Sequence, residues 1–68
     1  MDGVTYITLF EHDATTLTWR SWFDAIGYID AMLAACPNIH SCVLFGLVDG
    51  KIVDGIRYYD NGDSEVVL

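Results

Sequence analysis

The chain has 68 residues, 53% of them hydrophobic and 13% aromatic, with ten Asp and Glu against three basic residues and a net charge of −7. So apolar a composition excludes a disordered chain, and the length allows one small domain with a thin stability margin. The acidic field repels phosphate and so argues against direct nucleic-acid binding, and apolar runs such as Cys42-Val43-Leu44-Phe45 are far too short to cross a membrane.

Val4 to Glu11 is rich in β-branched and aromatic residues and reads as a strand. His12-Asp13-Ala14-Thr15 is a polar turn, and the alternation of Thr16 to Trp22 completes a first hairpin. A helix follows, with Ser21 and Asp24 both suited to cap it. Trp22, Ile26, Ile29, Leu33 and Cys36 recur at the spacing of one helical face. Pro37 ends it, because the residue before a proline avoids the α region.

Ser41 to Val48 and Lys51 to Tyr59 flank Asp49-Gly50, the pair that favours a two-residue type I′ turn. Counting from that turn sets Val48 opposite Lys51, Leu47 opposite Ile52, Phe45 opposite Asp54 and Val43 opposite Ile56. Asn61-Gly62 folds the chain again, so that Ser64 to Leu68 pairs with the preceding strand and Arg57 faces Val66. The order ββαβββ describes an α+β domain: an antiparallel sheet of about five strands with one helix packed on one face.

One helix covers one side of a sheet. Alternation places Val43, Phe45, Leu47, Ile52, Ile56 and Val67 on one side, and these are assigned to the helix as the core. The other side carries Leu44, Val53, Arg57, Tyr59 and Val66. It is too apolar for a wet face, so it is expected to meet a second copy or another protein. Asp54 then falls on the core side, where a carboxylate is costly to bury. Either it lies at the sheet margin, or it meets a partner such as Arg20, or the two faces are inverted.

No cofactor is expected. Cys36, His40 and Cys42, with His12, have zinc-ligand chemistry but no ligand spacing, and read better as a core thiol, a sheet thiol and a loop histidine. His12-Asp13 and His40-Ser41 lack the base–nucleophile arrangement of a hydrolase, and no glycine-rich phosphate loop is present, so the chain does not read as an enzyme. The sequence opens without a secretory signal pattern, so a cytoplasmic protein with reduced cysteines is expected.

The carboxylates are the remaining signal. Asp49, Asp60, Asp63 and Glu65 fall in or beside turns, where Asp and Asn also serve backbone geometry. They make an acidic rim to the apolar face, with Tyr58, Tyr59, Trp19 or Trp22 as anchors of the type enriched at interfaces. In size, acidity, lack of a catalytic motif and α+β pattern, the chain resembles small phage-encoded inhibitor proteins of the anti-CRISPR and DNA-mimic kinds. The resemblance is one of overall profile and assigns no residue a role. It implies a viral protein in the host cytoplasm that docks on a basic, nucleic-acid-binding surface of another protein and blocks it. The alternative is a structural homodimer, or a small subunit of a larger complex, held by the apolar sheet face.

Overall fold

A computed structural model describes residues 3–68. The elements are β1 (Val4–Phe10), β2 (Thr15–Trp19), α1 (Trp22–Ala35), β3 (Ser41–Val48), β4 (Lys51–Tyr59) and β5 (Ser64–Val66). They form one antiparallel sheet in the order β2-β1-β3-β4-β5, with the helix on one face. The expected ββαβββ architecture is therefore present, and the first hairpin joins the sheet through β1, which pairs with β3.

Ser21 is the helix N-cap: its backbone is extended and its hydroxyl accepts a hydrogen bond from the Asp24 N–H at 3.3 Å. At the other end Cys36 donates its N–H to the Met32 carbonyl before Pro37 diverts the chain. Ala25 and Ile29 are buried, and Ile26, Tyr28, Met32, Leu33 and Cys36 pack around them. Trp22, expected in that stripe, is instead 42% exposed at the helix start.

Asp49 and Gly50 both have positive φ, 52° and 80°, as a type I′ turn demands. The expected register holds for two pairs, Val48 with Lys51 and Leu47 with Ile52. A β-bulge then intervenes, with Val53 as the extra residue, and the pairing resumes one position on. Asp54 lies opposite Gly46, Gly55 opposite Phe45, and Arg57 opposite Val43. The bulge leaves the Gly46 N–H in need of an acceptor, and the Asp54 carboxylate supplies it at 3.0 Å. Asp54 is thus exposed, at the sheet margin, and bonded to backbone rather than to Arg20.

The face assignment is reversed. The buried cluster joins Phe10, Ala25, Ile29, Ile39, Cys42 and Leu44, so the helix covers Cys42 and Leu44, not Val43, Phe45 and Leu47. Side-chain size explains the choice. Small or slender residues (Thr8, Cys42, Leu44 and Gly46) occupy the strand centres beneath Ala25, which lets helix and sheet approach closely. Tyr6, Phe10, Trp19 and Tyr58 pack as larger side chains within the same layer. Thr8, the one buried polar side chain among the described residues, accepts from Trp19 Nε1 at 3.0 Å and so is satisfied.

Candidate functional site

The ends of this sheet differ in chemistry. The β1–β2 turn, the start of β3, the end of β4 and the β4–β5 loop all lie at one end, which gathers Glu11, Asp13, Asp60, Asp63 and Glu65. At the opposite end stand the Asp49-Gly50 turn, Lys51 and Arg20. The expected acidic rim is therefore divided. Asp60, Asp63 and Glu65 come together, Asp49 does not, and Glu11 and Asp13 join the cluster.

Local chemistry orders this end. Asp13 accepts from the Thr15 N–H at 3.0 Å across Ala14, whose φ of 61° is left-handed; the Thr15 side chain, and then this N–H, hold the Asp13 carboxyl below its ordinary value. Asp60 holds His40 Nδ1 at 3.0 Å while its own N–H donates to the His40 carbonyl, so the loop before β3 is tied to the end of β4. The Asn61 side chain caps the Asp63 N–H at 2.9 Å. Here a second correction applies. Gly62 has positive φ and donates to the Tyr59 carbonyl, so residues 60–62 form a three-residue loop rather than a two-residue turn. The pairing moves by one: Arg57 faces Glu65, not Val66, and Tyr58 faces Ser64.

That shift builds an ion cluster on the face away from the helix. Arg57 makes two parallel bonds to Glu11, Nε to Oε1 at 2.8 Å and Nη2 to Oε2 at 2.9 Å, and a third from Nη1 to Glu65 Oε2 at 2.7 Å. The forked geometry suits a guanidinium, and it keeps the Glu11 carboxyl deprotonated to lower pH than usual. The cluster joins the end of β1 to β4 and β5. Beneath it Val43, directly opposite Arg57 and on the side the helix does not reach, is 2% exposed. The Arg57 stem and the neighbouring strands close over it.

Apolar side chains hold the middle of this outer face, with Thr16 and Thr18 along its β2 edge. Ile7, Leu9, Phe45 and Leu47 are half-buried, and Ile52 is 51% exposed. Of the outer-face residues expected from sequence, Arg57 and Tyr59 lie there. Leu44 does not: it is 5% exposed in the helix-side core. Val66 pairs with Ile56 on the helix side of the edge strand, and Val53 is the exposed bulge residue. Val53 departs because it is the bulge residue, whereas Val66 departs together with Leu44: the bulge and the longer loop each shift parity by one and cancel, so it follows the reversed face.

Among the expected anchors, Trp19 and Tyr58 pack against the core, and the Trp19 ring lies 5.1 Å from that of Tyr28. Trp22 is exposed, and beside it the unforeseen Phe23 is 80% exposed, edge-on at 5.3 Å. The Cys36, His40, Cys42 set does not converge: Cys42 is fully buried, whereas the His40 side chain is 76% exposed against Asp60. Burial also pushes the Cys42 thiol up to about 12. Among the described residues no helix is long and apolar enough to cross a membrane.

Comparison with known proteins finds no match to a family model, a curated protein or a solved structure.

Proposed function

We propose that this protein is a non-catalytic binding module whose acidic end docks on a basic, nucleic-acid-binding surface of another protein and blocks it. The observation that carries this reading is the convergence of Glu11, Asp13, Asp60, Asp63 and Glu65 at one end of the sheet, where Arg57 alone offsets them with a fixed positive charge. An exposed cluster of one sign steers encounter with a surface of the other sign and occupies groove positions where phosphates would sit. The inhibitor character follows from the whole-chain profile noted above. A passive mode of action fits a Cys42 thiol that stays protonated and buried.

The test is capture of host proteins on the immobilised chain, with release by duplex DNA, by RNA and by salt. The expected partner is a nucleic-acid-binding protein released by nucleic acid and by raised salt, and lost on Asp60→Lys with Asp63→Lys. Asp49→Asn, at the far end, leaves capture intact and keeps a residue that tolerates positive φ. Capture unaffected by both lysine changes and by salt overturns the reading.

A further inference from the structure

We propose that β2, a free edge of the sheet, pairs antiparallel with β2 of a second copy, Leu17 facing the partner's Leu17 across a two-fold axis, to make one continuous sheet. This inference stands apart from the docking role above, since β2 lies at the opposite edge of the sheet from Asp60, Asp63 and Glu65. The two edges are built differently. β5 has three residues, its Glu65 is held by Arg57, and beyond it Val67 and Leu68 donate to the Gly55 carbonyl. β2 is Thr-Thr-Leu-Thr-Trp, without charge, proline or bulge, and Thr15 to Thr18 are exposed. Charges, prolines and bulges are the devices that keep an edge from pairing with another strand, and β2 has none of them.

The ladder shows which backbone groups β2 leaves over. Asp49 donates its N–H to the Gly3 carbonyl at 2.8 Å, which makes the adjacent Val4 and Val48 a non-hydrogen-bonded pair. Alternation along β1 then turns Thr5, Ile7 and Leu9 to β3, and Tyr6, Thr8 and Phe10 to β2. These last three engage Trp19, Leu17 and Thr15, so Thr16 and Thr18 turn their N–H and C=O groups outwards. The sequence between those groups identifies the occupant. Thr16-Leu17-Thr18 reads alike in both directions, as a two-fold antiparallel pair requires. Each Thr16 then exchanges backbone bonds with the partner's Thr18, and Leu17, 42% exposed, packs on the partner's Leu17. The helix lies over Thr8, Cys42 and Leu44, inside the edge, so the two helices stand about 19 Å apart and do not clash. Each chain carries −7, yet the two β5 edges end about 43 Å apart, several times the screening length of about 8 Å. At the junction the Glu11–Asp13 turn of one copy lies beside Arg20 and Asp24 of the other, whose charges cancel. One strand pair is a small contact, so the dimer is weak and concentration-dependent.

The experiment is solution mass by light scattering from micromolar to millimolar concentration, with circular dichroism and unfolding curves as the fold control. Wild type is expected to rise from 7.6 kDa towards twice that mass. Thr16→Pro removes an outward N–H that β1 does not use, and is expected to fold and stay monomeric. Leu17→Lys and Leu17→Glu each set like charges face to face and are each expected to be monomeric, while their equimolar mixture recovers the dimer. Ile52→Asp, on the outer face, is expected to dimerise as wild type does. A wild type that stays monomeric throughout leaves the edge to a strand of another protein and overturns the proposal. So does a dimer that survives Thr16→Pro, a dimer lost on Ile52→Asp, or a Lys–Glu mixture that fails to associate.

Discussion

The carboxylate of Asp54 accepts the backbone N–H of Gly46 at 3.0 Å, directly across the bulge in β4. This bond replaces the ladder bond lost to the extra residue, and so fixes where the register of the central hairpin slips. Everything downstream on β4 depends on it, including the position of Arg57 on the outer face.

Loss of that acceptor has a measurable cost. Asp54→Ala is expected to destabilise the fold by about 1 kcal/mol, the usual worth of one hydrogen bond to a partly buried backbone group. Asp54→Asn, which keeps an acceptor oxygen, should cost less. Gly46→Ala sets a Cβ 2.5 Å from Asp54 Oδ1 and must displace the carboxylate. The two Ala changes act on one contact, so denaturant unfolding of the double variant should show less than the sum of the single effects.

The orientation of the sheet can be checked by substitution at two neighbouring strands. Leu44, under the helix, is expected to lose about 2–5 kcal/mol on change to Ala, and Leu44→Asp should not fold. Val53→Asp, on the 58% exposed bulge residue, should leave the unfolding midpoint nearly unchanged. Equal sensitivity at both positions would contradict the placement of the core.

Acid should weaken the fold through the ion cluster and the first turn. Glu11 is held below its ordinary 4.5, chiefly by the side-chain bond from Arg57, and Asp13 below 3.8, chiefly by the bond from Thr15. A depressed carboxyl contributes stability above its unfolded value and loses it as pH falls through the folded value. Stability should therefore hold down to near 4.5 and decline below it. In urea titrations at a series of pH values, Glu11→Gln should flatten that decline.

The two thiols should react at different rates. Cys36 is partly accessible, whereas Cys42 is fully buried and its thiol is pushed up to about 12. An alkylating reagent followed by mass spectrometry should modify Cys36 in the native state and Cys42 only on unfolding. Equal rates would show that the helix does not close over Cys42.

The sequence by itself determined the elements and their order. The Asp49-Gly50 turn was legible because type I′ geometry requires positive φ at both positions, and few residue pairs accept that. The helix was legible from its apolar spacing, Ser21 and Pro37, all of which act within a few residues. Tertiary structure decided the faces. Both sides of β3 are apolar, so periodicity carries no preference, and close packing chose the side with Cys42, Leu44 and Gly46. The bulge at Val53 and the three-residue loop at 60–62 each moved parity by one. The opposed charges of Arg57 and Glu65 were a signal for the second, since a three-residue loop sets them face to face. The acidic end likewise gathers residues from turns far apart in sequence, and only the strand order β2-β1-β3-β4-β5 brings them to one place.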